Sequence, residues 1–459
     1  MKKKELLFLL ALFVFVSADA EIDLATNLQY SVSGDAVTIT GYNGTVPENY
    51  SLVIPSQIEG KNVTTIAGSA FAAQSHSSCI NITSIELPQT LTSIGDLAFQ
   101  GVKCSTITFP SGITSLPHGV IANNSNLKEI CFEGNITSLG SWCFSEDNNV
   151  ERLVFYANTT PHTVGGGSFY LFNTSLCKVY VPKGYSSNWG STWSGFEVIE
   201  GTLLKDAEGY YLLKTKRDWV GFAALVLEEP ESNARMIADI DLGDDQTVLG
   251  SPLVSTTAFS LGGGSHFKGV FDGQGHTLTV AYNPTGNNSA SPFSSIEGAT
   301  IKNLHIAGTM VSPRACGAGV ASATGGTGNL IQNVWVSATI TGNGQDWNCS
   351  AGIIGCVNNG SVTISDCIFT GSLTSAHNYN GCFVGFIDSG SATITNSLSL
   401  GTIDIGGAAF TGTHQNCYVY QFPTTIPAEM QITDGEISDG TTAAALQADR
   451  SEEIWVQDP

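Results

Sequence analysis

At 459 residues the chain is too long for one ordinary core, and its formal charge of -22, from 18 Lys and Arg against 40 Asp and Glu, disfavours nucleic acid and anionic membrane as partners. Charged residues make up only 13% while glycines number 51, a balance that suits turn-rich β structure better than helices.

The amino terminus reads Met1-Lys2-Lys3-Lys4, an apolar run from Leu6 to Val16, then Ser17-Ala18-Asp19-Ala20. A basic start, a short apolar run and Ala-x-Ala are the parts of a secretory signal over residues 1–20, with cleavage expected after Ala20. The run is too short to span a bilayer stably, and no later stretch approaches a membrane span. Export would permit disulfides among the 11 Cys, an odd number that leaves at least one thiol unpaired.

After the signal, Val37-Thr-Ile39-Thr, Leu52-Val-Ile54-Pro55 and Val63-Thr-Thr-Ile66 read as a capping repeat that shields the first edge of a stack. The stack itself is announced by Ile85-Glu-Leu87-Pro88, Leu91, Ile94-Gly95 and Ala98-Phe99. Its core recurs at Ile107-Phe109, Ile130-Phe132 and Leu153-Phe155, in steps of 22, 23 and 23 residues. That period belongs to leucine-rich repeats, whose units bury their apolar residues by stacking on neighbours. Trp189, Trp193, Phe196 and Val198-Ile199 supply bulk to close the far end. Cys79 and Cys104 each follow an Ala-Phe turn, so stacking would bring their loops together, as a disulfide or as small buried thiols.

The phrases at 63–71, 85–99 and Val181-Pro-Lys-Gly184 resemble BspA-type leucine-rich repeats of secreted and surface proteins of Bacteroides-like bacteria, over roughly residues 30–200. The resemblance implies a solenoid and, since several members are adhesins, recognition of host matrix proteins or other bacteria. It implies no catalytic residue.

Beyond about residue 202 the pattern changes. A helix is expected around Trp219 to Leu227, followed by Phe271-Asp272-Gly-Gln-Gly-His276-Thr-Leu. Ile301-Lys-Asn303, Ile331-Gln-Asn333, Ile364-Ser-Asp366 and Ile394-Thr-Asn396 then step by 30, 33 and 30. Strand-like, Gly-bounded runs with no helix between them point to a parallel β-helix over 202–420, with the Asn and Asp positions stacked as a polar ladder at one corner. This part resembles the Gly-rich, GLUG-like right-handed β-helix modules of bacterial surface proteins. Cys316 and Cys349, 33 apart, would lie on adjacent coils within disulfide reach, as a disulfide or as small buried thiols. Residues 421–459 read as an acidic tail or incomplete cap, with a helical turn from Ala443 to Leu446.

The strongest hint of chemistry is Asp272 with His276, because β-helices host pectin-cleaving enzymes. Those enzymes need clustered carboxylates and basic groups for an anionic sugar, and Asp346, Asp366, Asp388 and Asp404 form no recurring pair. His266, His276 and Asp272 are a weak metal set, and Asp239, Asp241, Asp244 and Asp245 lack the spacing of a calcium loop. No residue set is therefore assigned to catalysis, a cofactor or a metal.

The sequence points to a mainly β chain of two tandem solenoids, acting as a secreted or cell-surface, non-catalytic recognition protein for a host matrix or mucosal protein or a surface glycan. Tyr156, Phe169, Tyr170, Phe172, Trp189 and Trp193 are the candidate aromatic anchors, with packing inside the terminal cap as the competing reading. The alternatives are a carbohydrate-active β-helix enzyme that uses the repeats for targeting, and a structural spacer.

Overall fold

The computed structural model describes residues 21–23, 26–157, 160–182, 186–250, 266–284, 290–312, 316–342, 349–375, 379–405, 408–422, 426–438 and 441–447. The expected signal over 1–20, Lys183-Gly184 and the end of the expected acidic tail lie outside them. Strands dominate, and the chain divides into two units, Met1–Thr202 and Leu203–Pro459, each with its own buried core.

In the first unit the alternating Ile-x-Phe segments are short parallel strands. Thr106–Phe109, Glu129–Phe132, Arg152–Phe155, Lys178–Val181 and Phe196–Glu200 pair in order, placing Ile107, Ile130, Leu153, Val179 and Val198 in one register row. A period of two sends alternate residues inward. Phe109, Phe132 and Phe155 consequently stack, with ring centroids 5.7 and 4.4 Å apart, and are fully buried. A second ladder joins Ser115–Leu116, Ser138–Leu139 and Thr163–Val164. The Ala-Phe turns lie beneath it and also hydrogen-bond from repeat to repeat, Phe71 N to Ala98 O and Phe99 N to Val120 O, both 2.8 Å.

Both ends of this stack differ from its middle. Glu21–Asp23, Leu28–Ser33 and Ala36–Tyr42 run antiparallel, and Ala36–Tyr42 then pairs in parallel with Lys61–Ile66, so the first edge is covered by a meander. At the other end Trp189 and Trp193 pack at 4.7 and 5.5 Å against Phe155, while Phe169 and Phe172 meet Phe196 edge-on.

The second unit opens with an antiparallel pair, Leu204–Lys205 with Tyr211–Leu213. The helix Lys216–Val226 follows, started by a capping box in which Thr215 accepts from Asp218 N while the Asp218 side chain accepts from Thr215 N. It drives Trp219 and Phe222 into the end of the core against Phe271, Phe293 and Phe267. Every later principal pairing is parallel. Phe271, Ile301, Ile331, Ile364 and Ile394 form one register row. Met310, Ile340, Leu373 and Ile403 form a second. A third stack runs through Phe293–Glu297, Ala321–Gly325, Ile354–Val357 and Val384–Ile387, and a short fourth through Gly317–Ala318, Ser350–Ala351 and Asn380–Gly381. Thr300–Ser312 serves two stacks by bending at Gly308. There φ is +102°, and a Cβ would lie 1.9 Å from Val280 O, so glycine is required.

Candidate recognition groove

The corner that immediately follows the Ile301 row is polar because of its backbone. Asn303, Asn333, Asp366 and Asn396 sit at φ of 53, 52, 59 and 50°, the left-handed region that Asn and Asp tolerate best among residues with a side chain. Stacking puts their side chains in a column. Asn303 donates Nδ2 to Asp272 Oδ1 at 2.9 Å, Asn333 donates to Asn303 Oδ1 at 2.9 Å, and Asn416 donates to Asn396 Oδ1 at 2.8 Å. At Asp366 the column carries a carboxylate, which offers acceptors alone.

Beside this column lies a shallow groove of about 240 Å³, lined among others by Asn333, Asp366, Ile368, His305 and Trp335. Trp335 is an outward position of Asn329–Val336 and is 44% exposed. One indole face lies flat on the His305 ring, with centroids 3.7 Å apart and planes 7° from parallel. Its Nε1 donates to Thr370 Oγ1 at 2.7 Å, which fixes the ring. His305 itself hydrogen-bonds Thr277 Oγ1 and Ser337 Oγ at 3.0 and 2.8 Å, and burial pushes its pKa below the usual imidazole value, so the stack is with a neutral ring at pH 7. The site therefore combines a rigid apolar plate with a wall of amide and carboxylate groups.

Asp272 and His276 do not converge. Burial pushes the Asp272 carboxyl up, but hydrogen bonds from Asn303 and Gln274 N, with Lys302 Nζ at 3.4 Å, outweigh it and hold its pKa below the usual carboxylate range. His276 faces Asp239 at 3.2 Å, and Asp239 also accepts from Thr277 N. The remaining acidic cluster is dispersed: Asp241 accepts from Gly243 N, Asp244 meets Lys216, and Asp245 accepts from Thr247 N. His266 contacts Ser295.

Two alternatives left open by the sequence are divided by the structure. Of the six proposed aromatic anchors, Phe172 and Trp189 are buried in the cap and Phe169 and Trp193 pack partly buried against it. Tyr156 is half-buried and Tyr170 is 49% exposed. Tyr170 meets Trp142 edge-on at 5.5 Å, and Trp142 is also exposed at a positive-φ turn. Of the two readings open for Cys79 and Cys104, the structure takes buried thiols: Cys104 Sγ accepts from Asn124 Nδ2 at 3.2 Å and both thiols are free. Cys316 and Cys349 do come together, also as free thiols, with Cys356 as a third member that the repeat interval did not reveal.

The model for the BspA-type leucine-rich repeat region matches residues 64–187 in six copies. Among solved structures the chain is similar to a leucine-rich repeat protein of T. pallidum, with 26% identity over 35% of this chain and 71% of that one and a TM-score of 0.29. It is also similar to a leucine-rich cell surface protein of Faecalibacterium prausnitzii, with 15% identity, 64% and 89% coverage and a TM-score of 0.23. A leucine-rich repeat protein of Bacteroides ovatus aligns at 12% identity, with 83% and 94% coverage and a TM-score of 0.22. A comparison with curated proteins gives no match. Among the described residues no helix is long and apolar enough to cross a membrane.

Proposed function

We propose that this is an exported, cell-surface recognition protein whose second unit is a right-handed parallel β-helix that binds a glycan in the Trp335 groove without cleaving it. The supports for export are the Lys-rich start, apolar run and Ala18-Asp-Ala20, together with the BspA-type match. The β-helix reading is supported by the parallel rows repeating at one strand per turn.

The observation that carries glycan recognition is the exposed indole held flat by His305 beside Asn333 and Asp366. A sugar ring has an apolar C–H face that stacks on an aromatic plate and hydroxyls that donate to amide and carboxylate oxygens. A shallow, open groove suits one ring of a longer chain rather than an enclosed small molecule. The dispersal of Asp272 and His276 to separate partners favours binding over cleavage.

A glycan array probed with the mature chain and with Trp335→Ala tests this reading. Loss of a buried or half-buried aromatic anchor typically costs at least 2 kcal/mol, so affinity should fall about thirtyfold while circular dichroism is unchanged. Equal binding by the two proteins would overturn it. A second reading, a protein partner on the first unit, is favoured by exposed Trp142, Tyr170 and Leu171, the last 56% exposed. It predicts instead that Trp142→Ala weakens binding to a host matrix protein and Trp335→Ala does not.

A further inference from the structure

The second unit contains a small separate core made of sulfur. Cys316 precedes Gly317–Ala318 and Cys349 precedes Ser350–Ala351, and these strands pair in register, so the two thiols come from equivalent points of adjacent turns. Cys356 arrives by another route, on Ile354–Val357 of the neighbouring stack, whose Ile354 and Val357 face the main core while Cys356 faces the short fourth stack. The three Sγ atoms lie within 4.8 Å of one another, and all three residues are at most 3% exposed. Tyr379 and Phe386 pack against them, their rings 4.3 Å apart. The backbone leaves room for this arrangement: a Cβ at Gly355 would lie 2.9 Å from Cys316 Cβ and 2.6 Å from Ser322 O.

We propose that Cys316, Cys349 and Cys356 form a binding site for a thiophilic d10 cation, with each sulfur donating one bond. Three convergent sulfurs match soft metals such as Cu(I), Zn(II) or Cd(II) and reject hard cations, which want oxygen. Metal–sulfur bonds of about 2.3 Å place thiolates bound to one ion roughly 4 Å apart, inside the 4.8 Å that bounds the three sulfur separations here. A disulfide would consume two sulfurs and leave the third as a buried thiol against it, whereas one cation satisfies all three. Binding forms three S–metal bonds, and the displaced thiol protons pass to solvent. Among the described residues no His, Cys, Asp or Glu joins the cluster as a fourth ligand, so the donor set favours Cu(I), which accepts three sulfurs, over Zn(II), which seeks a fourth.

The test uses the whole mature chain, reduced and freed of metal by a chelator. Cd(II) reports by sulfur-to-metal charge-transfer absorption, and Cu(I) and Zn(II) are added as competitors. The expected result is one Cd(II) per chain, displaced by Cu(I) more readily than by Zn(II). The absorption should be lost in Cys316→Ser, Cys349→Ser and Cys356→Ser and retained in Cys367→Ser, a buried thiol outside the cluster. Metal should also raise the unfolding midpoint of the parent chain and not that of the three variants, each checked for native circular dichroism. If a variant fails to fold, Gly355→Ala, which crowds Cys316 without removing a sulfur, should weaken Cd(II) binding. Absence of one-to-one binding, retention of the band in the cluster variants, or a Cys316–Cys349 disulfide in the native protein would each overturn the proposal.

Discussion

At the scale of single residues, Asp147 is the strangest group in the first unit. It is fully buried; Oδ1 accepts from Asn124 N at 2.6 Å, while Oδ2 has no partner among the described residues. Burial raises its pKa well above the usual carboxylate value. Between the ordinary value and the raised one, the folded chain holds a proton that the unfolded chain has lost, so stability must fall as pH rises through that window. Asp147→Asn keeps a carbonyl oxygen for Asn124 N and carries no charge. It should flatten this dependence and stabilise the protein at pH 8 by roughly 1 kcal/mol or more, as read by urea denaturation at pH 5 and pH 8. A variant equally stable or weaker at pH 8 would show that the carboxyl is not protonated in the fold.

At the scale of elements, the corner column makes a separate prediction. Asn333 contributes both its tolerance of positive φ and its hydrogen bond to Asn303, and two substitutions divide these contributions. Asn333→Ala loses both and should cost about 2 kcal/mol, whereas Asn333→Gly restores the backbone freedom and should recover about half. Thermal melts of the two variants decide it; equal losses would mean that φ strain is unimportant at this corner. The column was legible in the sequence because Asn303, Asn333, Asp366 and Asn396 recur with the repeat. The groove was not, although its signal was present: His305 and Trp335 stand 30 residues apart, each two after its Asn, at positions where an alternating strand turns outward. Nothing about a lone Trp says that the residue stacked on it belongs to the preceding turn. Cys356 escaped for a related reason, since it meets Cys316 and Cys349 across two stacks, and a search along one register row never crosses to the next. Phe172 and Trp189 admit two readings from sequence alone, because end-of-stack aromatics are needed to cover the last strand and also look like surface anchors; the structure gives them to the cap.

At the scale of the whole molecule, the two cores should respond separately to injury. Phe132→Ala removes a fully buried ring from between Phe109 and Phe155 and should cost the first unit about 3–5 kcal/mol. Ile331→Ala should cost the second about 2–5 kcal/mol. Calorimetry should show two transitions, with each substitution lowering one midpoint and sparing the other; a single transition lowered equally by both would show that the units unfold together.

Because Ile331, Ile364 and Ile394 are interchangeable occupants of one row, excising residues 364–393 would set Ile394 opposite Ile331 and rejoin the donors and acceptors above and below the cut. A shorter chain would then fold with one lap fewer, and a duplicated lap would lengthen it. Gene rearrangement in whole laps is thus a route by which such a protein changes its reach without redesigning either end.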